Sequence, residues 1–370
     1  MGLKTMINIL IPLAGKNTFQ TSAINTFPKI LSDVGGSLLV ERAAKPFIDL
    51  EFSKNIVIAL PKNESEKFRL NKVLPLLGED ISLCNINSKT QGAACSALLA
   101  IEHINLEAPL IISSFEQVLD FELTSFINNF IESKVDAGVL TFEAIHPKWS
   151  YVKVGDDQLV TQAAEKMPIS KNAIAGLFYF KTAKSFFDAA QSMIRKDVKV
   201  NNLFFIAPTL NEIILSGGKV KALPIDKSRY YHINDEHSLE NFEESIVAEK
   251  KHSIQLLTKL TKDYVAAFSA KNIDMVKSFI SDDFRLVQPG GNMYGSEDAV
   301  QYINSFFVNN ESLDFVTKKT LVTSDRNSVV EFELTLDEGC FLGSCVFHWN
   351  KKHKMSKMNI YLNRVKIQEQ

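Results

Sequence analysis

Cysteine is scarce in this chain of 370 residues. The four, Cys84, Cys95, Cys340 and Cys345, include no C-x-x-C pair, which removes the usual zinc and dithiol motifs and any disulfide scaffold. All four are expected to be buried, reduced thiols that pack as small hydrophobes, in keeping with a cytoplasmic location. Cys340 and Cys345 lie in strand-like sequence at an odd spacing, so opposite faces are expected. Excess charge of either sign is also missing: 41 Lys and Arg against 43 Asp and Glu leave a net charge of -2. No bulk positive field exists to gather nucleic-acid backbones or anionic lipids, and neither is expected as a partner. No apolar run approaches the ~18 residues of a membrane span, and no signal-like apolar core precedes the first strand pattern.

What is present is an ordinary globular composition, 45% apolar and 23% charged. At this length two or three domains are expected, because a single core stops growing well below it. From Ile7 to about Asp226 short apolar runs alternate with helical patterns. The runs are INILIPLA, NIVIAL, ISLCNI, PLIISSF and AGVLTFEA; helices fall near Leu38 to Ile48, Glu64 to Leu77, Gly92 to Ile104 and Thr124 to Glu132. Such alternation predicts α/β architecture: a mostly parallel sheet covered on both faces, with ligands at the carboxyl ends of the strands. YVKV, QLVTQAAEK and AIAGLFYFK then read as strands bordering a pocket. Helices are expected at about Ala183 to Arg195, Pro208 to Ser216 and His237 to Lys251. The charged stretch Glu243 to His252 sets the boundary between domains 1–250 and 251–370. Beyond it come helices at Ile254 to Phe268, Ile273 to Phe279 and Ser296 to Phe307. Strands follow at Leu313 to Thr323, Ser328 to Leu336, Cys340 to Asn350 and Lys354 to Asn363, an α+β order.

The segment Ile9-Leu10-Ile11-Pro12-Leu13-Ala14-Gly15-Lys16-Asn17-Thr18 puts a tight polar loop directly after the first strand, and such a loop can aim backbone N–H groups at a phosphate. It is followed by Asn25-Thr26-Phe27-Pro28-Lys29-Ile30-Leu31, then by Thr90-Gln91-Gly92-Ala93-Ala94, Glu165-Lys166 and Ala175-Gly176-Leu177-Phe178-Tyr179-Phe180. With these motifs in this order, residues 5–250 resemble the sugar-phosphate nucleotidyltransferases, a Rossmann-like fold of the glycosyltransferase-A type. The resemblance implies in-line attack by a sugar phosphate, or a similar phosphate monoester, on the α-phosphorus of a nucleoside triphosphate, with release of pyrophosphate. Leu13, Ala14, Gly15, Gln91 and Gly92 would contact the nucleotide, and Glu165, Lys166 and Gly176 the sugar phosphate. Lys29, Lys16 and Lys166 would be the catalytic cations, and Glu116 and His232 would hold Mg2+. Taken locally, each has a plainer role: Lys29 a solvated lysine, Gln91-Gly92 a helix start, Glu165-Lys166 a surface pair, Glu116 a helix-end charge and His232 a structural histidine.

The chain departs from the family's G-x-G-x-R loop, because Asn17 and Phe19 stand where the second glycine and the arginine belong. Glutamate and histidine replace the aspartates that bind metal. Two readings therefore stand side by side: a working transferase of surface-polysaccharide or nucleotide-sugar biosynthesis, and a degenerate domain that binds nucleotide or sugar phosphate without turnover.

In the second domain Tyr264-Val265-Ala266-Ala267-Phe268, Lys271-Asn272-Ile273-Asp274, Phe279-Ile280-Ser281-Asp282-Asp283-Phe284 and Gly295 resemble the SnoaL-like and ketosteroid-isomerase-like cone fold. The resemblance implies helices packed into a curved antiparallel sheet, and a dimerisation or binding module. If the cone is catalytic, Asp283, His348 and Tyr294 are the candidate residues; otherwise Asp282-Asp283 is turn chemistry between helix and strand.

Overall fold

The computed structural model describes residues 6–15, 18–21, 26–323 and 325–364. The chain divides into two units, Met1–Glu243 and Glu244–Gln370.

In the first unit β1 (Met6–Pro12), β2 (Ser53–Pro61), β3 (Ile81–Ile86) and β4 (Leu110–Ile112) supply the parallel half of the main sheet. β5 (Gln117–Leu119) lies outside it, and β6 (Ala137–Glu143), β7 (Ser150–Val154), β8 (Val160–Glu165), β9 (Asn172–Phe180) and β10 (Val220–Pro224) complete it. The main order is β10-β6-β9-β4-β1-β2-β3, with β7 and β8 as a side arm on β9. β9 runs against both β4 and β6, while β1, β2, β3 and β4 are mutually parallel and β6 is parallel to β10. The continuous apolar run of β1 follows from burial on both faces: Ile7, Ile9 and Ile11 enter one apolar cluster and Leu10 the other. β11 (Tyr230–His232) pairs antiparallel with β5 in a separate ribbon.

The expected mostly parallel sheet is present; several helices differ. The helix predicted over Glu64 to Leu77 breaks into Lys62–Lys67, Leu70–Val73 and a final tight turn, with Arg69 at φ +54°. Phe68, Leu70 and Leu74 are all buried, and residues two apart cannot share one face of a continuous helix, so the left-handed residue turns both inward. The Gly92 to Ile104 pattern gives only Ala93–Leu98 and a tight turn at Ile101–His103. Conversely, the two helices expected on either side of residue 252 are one helix, Glu236–Ser269. That stretch contains neither glycine nor proline, so nothing local stops it.

The second unit forms a six-stranded sheet. Its strands are β12 (Ile280–Gln288), β13 (Gly291–Tyr294), β14 (Leu313–Val322), β15 (Asn327–Leu336), β16 (Gly339–Trp349) and β17 (Met355–Arg364), in the order β13-β12-β17-β16-β15-β14. β12 and β13 are additions to the sequence reading, and β12 pairs parallel with β17. Asp282 and Asp283 are therefore not a turn: they sit inside β12, where the register with β17 shifts between Ile280 and Arg285. Tyr264, Phe284, Phe332, Phe347 and Trp349 fill the core beneath helices Ile273–Phe279 and Ser296–Asn309. Cys345 is buried in that core and Cys340 lies on the opposite face, as the spacing predicts; Cys340 and Cys95 are only half-buried, contrary to the expectation for all four thiols. Among the described residues no helix is long and apolar enough to cross a membrane.

Candidate functional site

A cavity of about 350 Å3 opens at the carboxyl ends of β1 and β4. Leu13, Ala14 and Gly15 form one wall and Gly92 another, while Glu116, Glu165 and Gly176 close the far side. Seven of the residues assigned by resemblance thus share one space. Among the described lining residues the only charged side chains are Glu116 and Glu165; the rest of the polar lining is hydroxyl groups, with Phe178 and Phe205 supplying ring faces.

The remaining assigned residues do not line the cavity. Lys16 lies outside the described residues. Gln91 is exposed, and its backbone carbonyl accepts from Phe204 N at 2.8 Å. Lys166 is exposed at φ +53°, with its ammonium 4.9 Å from the centre of the Phe205 ring, so it reaches the rim only through that ring. Lys29 donates to the Asn234 carbonyl. Phe19, where the family loop holds arginine, is 9% exposed and belongs to the apolar core.

Local structure explains these placements. Gly92 sits at φ +112°, and a Cβ there would lie 2.3 Å from the Phe204 carbonyl oxygen. Only glycine lets the turn close on the 203–207 segment, which supplies Leu203, Phe205, Ile206 and Ala207 to the cavity. Thr18 is buried and donates to Glu116 Oε1 at 2.7 Å, tying the first loop to the segment that leads into β5. The Ser150 hydroxyl donates to Glu165. Burial pushes the Glu165 carboxyl above the usual carboxylate range, against the downward pull of that hydroxyl and of the Lys166 charge.

Beneath the cavity lies a polar network with no sequence signal beyond a glutamine in an apolar stretch. Gln117 is buried; its Nε2 donates to Ser113 Oγ and to the Gly176 carbonyl, each at 3.0 Å, and its Oε1 accepts from Tyr230 Oη at 3.1 Å.

The β5–β11 ribbon sets the backbones of Glu116 and His232 side by side, while only Glu116 lines the cavity. His232 pairs with Gln117, and Ile233 N donates to the Glu116 carbonyl at 2.8 Å. The His232 ring packs edge-on to Trp149 at 4.9 Å, and its buried Nδ1 has no hydrogen-bond partner. Burial, then the Lys148 charge, push the ring's pKa down to about 4, with Lys29 adding to the shift and Asp235 opposing it. Mg2+ prefers oxygen donors and is usually held by one or two carboxylates together with waters and substrate phosphates. Here the one carboxylate accepts from Thr18 and the second assigned donor is a ring nitrogen in place of an oxygen. Among the described residues, no group of three or more His, Cys, Asp or Glu side chains could hold a metal ion. This donor set is a poorer match to Mg2+ than the two aspartates of the family pattern.

The cone has a smaller cavity of about 110 Å3, lined by Phe268, Phe306, Phe315, Phe332 and Phe347, with Tyr302 Oη donating to Gln288 Oε1 at 3.1 Å. None of the three candidate catalytic residues reaches it. Asp283 accepts from Ser281 Oγ at 2.7 Å, the His348 ring pairs with Asn327 at 2.7 Å, and Tyr294 is exposed.

Comparison with known proteins places both units. Residues 261–352 match the SnoaL-like domain family. A nucleoside-diphosphate-sugar pyrophosphorylase from Vibrio cholerae is similar at 20% identity and a TM-score of 0.57, covering 64% of this chain and 99% of its own. A UDP-glucose pyrophosphorylase solved with UDP-glucose is similar at 14% identity and 0.52, covering 66% and 99%. A UTP-bound UGPase from Acinetobacter baumannii is similar at 12% and 0.50, covering 65% and 93%. No curated protein matches the chain by sequence. The resemblances read from the sequence hold at the level of fold: an α/β unit with the architecture of the nucleotidyltransferases, followed by a SnoaL-like domain.

Proposed function

We propose that the first unit binds a nucleoside diphosphate sugar, or the corresponding sugar phosphate, and does not carry out nucleotidyl transfer. The observation that carries this reading is the charge of the cavity: its described lining presents two carboxylates and no cation. Transfer between phosphates is largely positioning and neutralisation of negative charge, and the loss of a single arginine from such a site costs about 10³–10⁵ in rate. With Phe19 committed to the core, the loop has no side chain at that position to neutralise a triphosphate. Carboxylates and hydroxyl groups suit the hydroxyls of sugar and ribose, and the Phe178 and Phe205 rings suit apolar ring faces. The protein is then a cytoplasmic binding or scaffolding component of nucleotide-sugar metabolism for surface polysaccharides.

A second reading, transfer from a nucleoside triphosphate to a phosphate monoester, is favoured by the gathering of seven assigned residues around one cavity. Pyrophosphate release from a panel of triphosphates and sugar 1-phosphates, in Mg2+ and Mn2+, separates the two. The binding reading expects none above background; release with any pair overturns it.

For the second unit we propose a homodimer. Val316, Leu321, Leu342 and Tyr361 are exposed on β14, β16 and β17, and the strand registers place all four on the face opposite Cys345 and Phe347.

A further inference from the structure

Glu116 and Glu165 line the same cavity, and each gives one oxygen to a hydroxyl: Glu116 Oε1 accepts from Thr18 at 2.7 Å and Glu165 Oε2 from Ser150. The second oxygen of each takes no hydrogen bond from a described residue and is not sealed from solvent. Two negative charges therefore face one space whose described lining holds no positive one. Burial lifts the Glu165 carboxyl even though the neighbouring Lys166 charge pulls the other way, as expected of a carboxylate short of a counter-charge. The same lining contributes the Phe178 and Phe205 rings. Phe205 already meets one cation, because the Lys166 ammonium stands 4.9 Å from its ring centre. Carboxylate oxygens together with aromatic faces are groups that recognise an ammonium ion.

We propose that this cavity selects an amino sugar: its ligand is a sugar phosphate or sugar nucleotide whose sugar bears a free amine, received as the ammonium by Glu116 and Glu165. An ammonium brings three donors and the missing positive charge, whereas a hydroxyl at the same position brings one donor and no charge. The gain is larger here than at an open surface, because both carboxylates are partly withdrawn from water. An acylated amine loses the charge and leaves both carboxylates uncompensated. The inference rests on the reading that the cavity takes a sugar nucleotide or sugar phosphate, and narrows it to one class of sugar.

The test is calorimetric titration of the full chain with glucose 1-phosphate and its 2-amino, 3-amino and 4-amino analogues, and with the ADP, CDP, GDP, UDP and dTDP derivatives of the same sugars. Each titration is run with EDTA and again with Mg2+, which tells a divalent ion supplying the positive charge from the amine. At least one amine is expected to bind roughly tenfold more tightly than its hydroxyl counterpart in both buffers, and added salt to shrink the difference. Glu165→Gln and Glu116→Gln are each expected to reduce that preference to about threefold or less, with circular dichroism melting showing that they fold. If neither folds, the comparison of amine with hydroxyl on the wild-type protein decides alone. Hydroxyl sugars that match every amine in either buffer overturn the inference and leave the binding reading intact; a match only with Mg2+ assigns the carboxylates to the metal. A preference untouched in both folded variants overturns it as well. Absence of binding for every ligand in both buffers removes the reading and the inference together.

Discussion

Gly176 and Gln117 fit together so closely that a Cβ on the glycine would lie 2.1 Å from the glutamine's Oε1. Gly176 also sits at φ +59°, in the left-handed region. The same glutamine holds the Gly176 carbonyl and Ser113, so the far wall of the cavity is set by this pair. Gly176→Ala is expected to destabilise the first unit by roughly 2–4 kcal/mol, combining backbone strain with displacement of a satisfied buried amide. Urea unfolding followed by circular dichroism measures it; a loss below about 0.5 kcal/mol would contradict the account of this wall.

Phe19→Arg is the change that sequence comparison invites as a restoration of the missing loop arginine. The structure predicts a different result. Phe19 packs in the core, so the substitution places a guanidinium there and is expected to cost roughly 2–4 kcal/mol without restoring pyrophosphate release. Thermal melting and the pyrophosphate assay on the same preparation check both halves, and Phe19→Leu, which keeps the burial, is expected to stay near wild-type stability.

His232 predicts an acid sensitivity whose sign follows from burial. Its folded pKa, about 4, lies below the ordinary histidine value of 6.5. Between these values the unfolded chain binds more protons, so the contribution is fully present above the ordinary value and is lost as pH falls toward the folded one. The loss attributable to this ring is up to about 3 kcal/mol. Comparing urea unfolding near pH 5 and near pH 7.5 for the wild type and His232→Asn isolates it, because the variant is expected to show the shallower pH dependence.

The proposed dimer makes its own prediction. Leu342 and Tyr361 are 48% and 57% exposed on the outer face of the cone's sheet, and Val316 aligns with Leu342 through Glu333. Leu342→Lys together with Tyr361→Lys is expected to convert a dimer to a monomer in light scattering coupled to size exclusion, with the melting of the cone core unchanged. A wild-type monomer at micromolar concentration would contradict it.

Much of the first unit was legible because its signals are local. Apolar runs too short for helices, separated by helical patterns, specify a parallel sheet, and the glycines at 15 and 92 mark turns, and Gly176 a left-handed residue inside β9, that border the cavity. What was not legible depends on contacts distant in sequence. Gln117 has no periodicity to announce that it joins Ser113, Gly176 and Tyr230, and Thr18 becomes a partner of Glu116 only when the first loop folds back. Phe19 reads as the loss of an arginine and turns out to be a gain for the core. In the cone, Asp283, His348 and Tyr294 were plausible as acid and base types, yet strand register and local hydrogen bonds place them away from the cavity. β12 escaped notice because Ser281, Asp282 and Asp283 look like a turn and lie instead at a shift in register.

The most direct test of the central claim is a side-by-side calorimetric titration with a nucleoside diphosphate sugar and the matching nucleoside triphosphate. A cavity whose described lining carries two carboxylates and no cation favours the ligand with less charge and more hydroxyl groups. The account predicts saturable binding of the sugar nucleotide at least about tenfold tighter than of the triphosphate, with no pyrophosphate formed when sugar 1-phosphate is added. Tighter binding of the triphosphate, followed by pyrophosphate release, would contradict it.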